Sequence, residues 1–388
     1  MKILEVCTVS SSTYALVFER AQALNERYIG TMQIDVLCTD GPEVPLMRAK
    51  GMQVITCTLH RSLNPIQLLR SAWNLRQAIK QGGYEVVHLH FGVPGLVGRA
   101  LALFDRKTTW IYQSHGYSIA ENTSPLARQA YLLVEKFLKN TVRYSLFQLR
   151  EDMVLAKREQ LLDENQMVYI GNGIDVKRFK PVETATYKST SPSKQAHKTI
   201  FGMVARFEPI KNHALLLEAV EILARQTRDF QVKLIGQGHL KAAIQADIVA
   251  KGLSDVIEIA EYSHDMPDFY RGIDVGLLTS YAEGIPRALI EPMACGKPVI
   301  CTNVKGSREA IIDQVTGFKV PLESPQSLAD AMYWCIRHPD KRQQMGKSAR
   351  KHVSKHFSEA QVLDILAKVY LSCRQTQALT PHLAGNTP

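Results

Sequence analysis

Two carboxylates, Glu283 and Glu291, lie eight positions apart in the stretch Tyr281-Ala-Glu-Gly-Ile-Pro-Arg-Ala-Leu-Ile-Glu-Pro-Met-Ala-Cys-Gly296. Upstream, Ile273-Asp-Val-Gly-Leu-Leu-Thr279 reads as a short buried strand, apolar and bounded by turn formers. Pro286 suits a first helical position, and Gly296 followed by Pro298 suits a helix end. On that reading the backbone amides of Gly284, Ile285 and Arg287 sit at the positive end of a helix, which favours a phosphate or diphosphate. Glu283 falls in the loop beside that anion site, and Glu291 falls further along the helix. A carboxylate accepts hydrogen bonds from two neighbouring hydroxyls at once. Carboxylates flanking a diphosphate therefore suit a ligand with hydroxyls on both sides, which describes a nucleotide sugar. One local conflict stands out. Pro292 falls inside the expected helix and removes a hydrogen bond to residue 288, so the helix must bend there or begin later.

Other residues could join this chemistry. Arg206 ends a strand that begins at Thr199, and Lys211 follows on a proline-containing turn. Ser114-His115-Gly116 closes another strand. Gly236-Gln-Gly238 lies between a strand and a helix, where a short Gly-x-Gly lets backbone approach a nucleotide. Asn172-Gly-Ile-Asp175 reads as a turn that either packs or contacts ligand. His88 and His90 share one strand face, the spacing of a metal pair. No third ligand has sensible spacing, so they read as core histidines, with His90 also a candidate for acceptor contact. No Asp-x-Asp occurs.

In this order the motifs resemble the retaining glycosyltransferases of family GT4, which have the GT-B fold, and in particular their CapM/PglA-like branch of bacterial polysaccharide and glycan biosynthesis. The resemblance implies that Arg206 and Lys211 clamp the donor diphosphate and stabilise the charge building on it. It implies that Glu283 holds donor-sugar hydroxyls beside an oxocarbenium-like centre, that Glu291 holds the ribose, and that His115 lies against the donor sugar. The implied catalytic set is Glu283, His115, Arg206 and Lys211. The implied binding set is Glu291, Gly284, Ile285, Pro286, Arg287, Gly236, Gly238, His90 and Asn172. Two positions depart from the pattern: Asn212 stands where many relatives have Gly, and Ser10-Ser11-Ser12 stand where many carry a Gly-Gly pair. The implied reaction moves a hexose or N-acetylhexosamine from a nucleotide sugar, UDP-linked, to a lipid-linked saccharide acceptor. The nucleotide sugar is a substrate, so neither cofactor nor metal is expected. An epimerase or hydrolase of nucleotide sugars on the same fold, or a non-catalytic nucleotide-sugar-binding subunit, remain the alternatives.

The elements that must position these residues alternate. Strand signals at Ile3–Thr8, Gln33–Thr39, Val86–His90 and Thr109–Ser114 are separated by helical patterns at 14–27, 65–80 and 95–104. A second alternating set runs from Thr199 to Thr302, with helical patterns at 214–225, 240–251 and 287–295. Such alternation predicts an α/β chain of two doubly wound, Rossmann-like domains facing a cleft. The expected boundaries are 1–180 for an acceptor-binding domain, 181–198 for a polar linker, 199–358 for a nucleotide-sugar-binding domain, and 359–388 for a helix crossing back plus a tail. A length of 388 residues fits two cores better than one.

Hydrophobic content of 45% and charged content of 22% are those of a soluble globular protein. Met1–Val9 reads as a first strand whose apolar run is broken by Glu5, not as a signal peptide, and no run approaches the roughly 18 apolar residues of a span. A cytosolic protein is expected. The seven cysteines include no C-x-x-C pair and read as inert thiols. Of the net charge of +10, the stretch from Arg61 to Arg158 holds 14 Lys and Arg against 6 Asp and Glu. With no nucleic-acid motif beside it, this excess points to an anionic membrane surface or a diphosphate-bearing acceptor. The helix pattern at 65–80, with Ile66, Leu69 and Trp73 among Arg70, Arg76 and Lys80, fits either a core-facing helix or one lying on a membrane face.

Overall fold

The computed structural model describes residues 1–117, 123–181, 198–260 and 266–374. It divides into two compact units: Met1–Gly171 together with the chain from Gln361 onward, and Asn172–Ala360. Most of the expected linker, at 182–197, and the tail beyond Arg374 lie outside the described residues.

The first unit is built on a seven-stranded parallel sheet: β1 (Lys2–Val9), β2 (Gln33–Thr39), β3 (Val54–Thr56), β4 (Val86–His90), β5 (Thr109–Ser114), β6 (Tyr144–Phe147) and β7 (Met167–Tyr169). Their order, β3-β2-β1-β4-β5-β6-β7, is doubly wound about β1. The strands read as near-continuous apolar runs because helices cover both faces. One core gathers Ile3, Ile34, Val36, Val86 and Ile111, and the other gathers Leu4, Leu37, Val87, Leu89 and Trp110. The final helix, Glu359–Arg374, buries Val362, Leu366, Val369 and Tyr370 in the first of these cores.

The second unit carries six parallel strands: β8 (Thr199–Val204), β9 (Phe230–Ile235), β10 (Ile257–Ile259), β11 (Val275–Leu278), β12 (Val299–Thr302) and β13 (Gly317–Val320). Their order is β10-β9-β8-β11-β12-β13. The chain order switches between β8 and β11, so the loops leaving those two strands lie side by side. That crevice is where open α/β sheets take ligands.

Several details differ from the sequence reading, each for a local reason. The first helix begins at Ser10 instead of residue 14 and passes through a π turn at Tyr14–Phe18 before continuing to Arg27. Thr13 donates to the Val9 carbonyl, and Ser10 donates to Glu43, so Ser10-Ser11-Ser12 form the first turn of this helix directly after β1. Residues 172–180 belong to the second unit, not the first: Ile174 bridges Ser358, and Arg350 donates to the carbonyls of Val176 and Phe179.

Pro292 does lie inside the Arg287–Ala294 helix. Its ring fits because the facing residue on β11 is Gly276, where an added Cβ would sit 2.8 Å from Pro292 Cγ and 3.1 Å from Val299 Cγ1. Gly276→Ala should therefore destabilise the second unit by about 1–3 kcal/mol, the usual cost of overpacking a tight core. Urea unfolding against Gly92→Ala, where an added Cβ meets nothing within 4 Å, gives the comparison. Equal midpoints for the two variants would refute this account of Pro292.

Candidate active site

In the second unit, β8 leads through Arg206 into a short 3-10 turn, Pro209–Lys211, and β11 leads into the loop 279–286. Lys211 Nζ meets Glu283 Oε1 at 2.5 Å, with side-chain exposures of 17% and 11%. Ser280 Oγ donates to the same carboxylate oxygen at 2.6 Å. The two loops are tied at the backbone as well. Tyr281 N donates to the Ile210 carbonyl at 2.9 Å, and Thr279 Oγ1 reaches the carbonyls of Lys211 and Asn212, both at 3.0 Å. From the next strand, Thr302 Oγ1 donates to the Ser280 carbonyl at 2.6 Å.

Asn212 adopts a left-handed backbone, φ 48°, and its side-chain oxygen accepts from Leu215 N at 3.3 Å, opening the His213–Ala224 helix. Asn is a residue that both tolerates this conformation and caps helices. Asn212 thus meets both demands of this turn. Arg206 stands apart from this cluster. Its guanidinium pairs with Glu208 at 2.7 Å and is largely exposed.

Beyond the loop, Pro286 is the extended residue preceding the helix and not its first helical residue as the sequence suggested, with φ −79° and ψ 124°. Its carbonyl accepts from Leu289 N and Ile290 N, so Arg287 opens the helix. Glu291, buried one turn on, accepts from Arg287 Nε at 2.9 Å. Asn172 is buried and donates to the Ile285 carbonyl at 2.9 Å, holding the loop in place. Gly236 and Gly238 are explained by backbone packing: an added Cβ would lie 1.9 Å from the Ala205 carbonyl oxygen and 2.4 Å from that of Phe207. These glycines let the β9 exit press against the segment carrying Arg206.

The first unit gathers a separate polar cluster at the end of β4. His90 Nδ1 lies 2.9 Å from His115 Nε2, while His90 Nε2 meets the Glu5 carboxylate. His88 Nδ1 lies 2.7 Å from the Tyr370 hydroxyl, which itself donates to Glu5. Glu5 is the third group that the sequence reading of His88 and His90 lacked. The potential ligand atoms of these three lie within 4.8 Å of one another, but Glu5 and His90 are joined to each other by a hydrogen bond. Burial resists the charge on Glu5, yet His88 and His90 together hold its carboxyl well below the ordinary range.

Two families match along the chain: one described as "Glycosyl transferase 4-like" over residues 5–148, and one as "Glycosyl transferases group 1" over residues 187–352. The chain is a GT4-type glycosyltransferase.

It is 23% identical over 348 residues to the UDP-Gal:alpha-D-GlcNAc-diphosphoundecaprenol alpha-1,3-galactosyltransferase of Escherichia coli, covering 87% of this chain and 88% of that one. It is 26% identical over 335 residues to the D-inositol 3-phosphate glycosyltransferase of Kribbella flavida, covering 78% and 74% respectively. Among solved structures, Anabaena HepE in complex with UDP and glucose superposes with a TM-score of 0.77 at 20% identity, covering 96% of this chain and all of that one. A glycosyltransferase from Rickettsia africae gives a TM-score of 0.77 at 20% identity, covering 97% and 99%. The fold of this glycosyltransferase is GT-B.

Several residues at these two clusters escaped the sequence reading. Thr279, Ser280 and Thr302 are polar residues at the ends of buried strands, a pattern that could have singled them out. Gly306 gives no such signal. It has φ +78°, and an added Cβ would lie 1.9 Å from the Gly284 carbonyl oxygen, so it lets the next loop close against the one carrying Glu283.

His213 offers a test of the glycosyltransferase's stability. It is buried directly after the Lys211 turn, and burial together with the Lys211 charge pushes its pKa from 6.5 down to about 4. Between those values the unfolded chain binds a proton that the folded one does not, so stability falls as pH drops from 6.5 towards 4, by up to about 1.4 kcal/mol per pH unit. Urea midpoints at pH 7, 6 and 5 should fall more steeply for the wild type than for His213→Gln. Parallel curves would remove His213 as a source of acid sensitivity.

Proposed function

We propose that this glycosyltransferase is a retaining enzyme that moves a hexose or N-acetylhexosamine from a UDP-linked sugar to a lipid-linked saccharide. The observation that carries the reading is the pairing of Lys211 with Glu283 beside the start of the helix that holds Glu291. A cation, a carboxylate and helix amides then stand where a diphosphate and its two sugars would need them. The leaving diphosphate gains negative charge as the bond from C1 to the phosphate oxygen breaks, and Lys211, with Arg206 swung from Glu208, stabilises it. The acceptor hydroxyl forms the new bond to C1 from the same face and passes its proton to the departing phosphate oxygen. No separate base and no metal is part of this proposal, and full turnover in excess chelator is its expected behaviour. The galactosyltransferase relative whose name contains both UDP-Gal and a diphosphoundecaprenol acceptor supports the choice of donor and acceptor class.

The donor is identified by a panel of UDP-sugars scored by thermal shift and then by transfer. Donor turnover without glycosidic product would favour a hydrolase or epimerase. The two glutamates should then fail differently. Glu283 is assigned to the sugar, where charge changes most, so Glu283→Gln should bind UDP nearly normally and lower kcat by about 10²-fold or more. Glu291 is assigned to the unreactive ribose, so Glu291→Gln should weaken UDP and UDP-sugar by similar factors. Calorimetry with UDP and then with the selected donor decides, and the reverse pattern would exchange or abolish the two roles.

The proposal includes docking on an anionic membrane. No described helix is long and apolar enough to cross a membrane. The Pro65–Gly82 helix buries Leu75, Ala78 and Ile79 but turns Ile66, Leu69 and Trp73 to solvent beside exposed Arg70, Arg76 and Lys80. The Pro125–Phe137 helix is held from within by Glu135, bonded to buried Arg99 at 2.7 and 2.8 Å, while Leu126, Leu133 and Phe137 are exposed. Apolar side chains rimmed by cations suit a lipid interface. Sedimentation with phosphatidylglycerol vesicles should exceed that with phosphatidylcholine and weaken as salt rises. Equal partition at low salt would remove the electrostatic part.

A further inference from the structure

We infer that Glu5 and His90 are positioning residues that fix His115 in one tautomer, with its Nε2 proton committed to His90 and its Nδ1 left to accept a hydrogen bond from a substrate hydroxyl. This rests on the reading that His115 touches a sugar.

An ionised carboxylate only accepts hydrogen bonds. Glu5 takes one from the Tyr370 hydroxyl and another from His90 Nε2, so His90 carries its proton on Nε2. Burial and the neighbouring His88 push the His90 pKa down to about 4, against the opposing pull of Glu5, so the ring is neutral near pH 7. A neutral imidazole has one N–H, which leaves His90 Nδ1 as an acceptor. The atom 2.9 Å away, His115 Nε2, must therefore donate. His115 is itself held neutral, first by burial and then by His90 and Arg20. Its remaining nitrogen, Nδ1, bears a lone pair and has no protein partner among the described residues.

The ring is also fixed in direction. Phe91 stacks on His115 with centroids 4.0 Å apart and planes 19° from parallel. Phe91 achieves this with φ 66° and ψ 180°, a backbone region that is close to glycine-only and occurs where surrounding structure forces it. A strained phenylalanine on one side and a hydrogen-bonded histidine on the other allow His115 little rotation. A lone pair so aimed welcomes a hydroxyl and repels carbonyl, carboxylate or phosphate oxygens. A sugar hydroxyl is the group on these substrates that fits.

The test is a long-range ¹H–¹⁵N spectrum of the histidine-labelled full chain at pH 7.5, with His115 identified by the signals lost in His115→Gln. The expected result is a protonated Nε2 and a bare Nδ1 on His115, together with a mixture of tautomers in Glu5→Gln, whose amide can also donate to His90. With the donor selected by the UDP-sugar panel, Glu5→Gln should lower kcat about tenfold with little change in KM. A wild-type His115 protonated on Nδ1 overturns the inference even if Glu5→Gln does not fold. So does an unchanged tautomer in a folded Glu5→Gln, or a transition metal found on His88 and His90 by elemental analysis. Normal transfer by His115→Ala overturns instead the sugar-contact reading beneath it, and it does so whatever the tautomer.

Discussion

The Lys211–Glu283 ion pair joins loops that leave two neighbouring parallel strands, β8 and β11. Both side chains are largely shielded from water, and a charge so placed is expensive to leave alone. Each loop therefore depends on the other for its conformation. Thr279 and Tyr281 add backbone ties between the same two loops, and Thr302 adds one from β12. The arrangement holds a cation and a carboxylate together in a small space. Electrostatic stabilisation is most effective when its charges need no rearrangement at the moment of reaction. A diphosphate arriving here would compete with Glu283 for Lys211 and free the carboxylate for hydroxyls.

Much of this was legible in the sequence, and the rest was hidden for physical reasons. Gln33–Thr39, Val86–His90 and Thr109–Ser114 were read with the strand limits found, because strands buried on both faces are rich in apolar residues. The short strands β3, β6, β7 and β13 escaped. The Pro125–Phe137 helix escaped for a different reason. Leu126, Leu133, Val134 and Phe137 face outward, only Tyr131 and Leu132 pack inward, and its most buried side chain is the charged Glu135, so its core-facing stripe is short. The carboxylate loop was legible because a helix start leaves marks in sequence. Asn172 was also singled out, though not its bond to the Ile285 carbonyl 113 positions away, and Gly306 left no mark because its role depends on a neighbouring loop.

The first unit shows the same divide between local and distant signals. Glu5 was visible as a charge interrupting an apolar strand, and His88 and His90 as a pair on one face. Their meaning depended on β1 lying beside β4, with Glu5 in register with His88, and on Tyr370 arriving from the far end of the chain. Spacing along a single strand could not supply either fact. A buried polar network is costly when incomplete and specific when satisfied, so these four residues are best understood as one unit of structure.

Tyr370 has a consequence for how the molecule comes into being. Its hydroxyl bonds to Glu5 across a separation of 365 residues, and the helix that carries it fills a gap in the core laid down by β1 and β2. During synthesis the early strands leave the ribosome long before that helix exists. Until then Glu5 and His88 lack their phenol, and the apolar seat for Val362, Leu366 and Val369 has no occupant. A domain whose first strand shares a core with the Glu359–Arg374 helix cannot finish folding in the order in which it is made. The second unit has its described strands complete by Val320, and its own late tie, from Ile174 to Ser358, is made just before that helix. In the newborn chain, the unit begun by β1 waits for a helix made after the strands of the second unit.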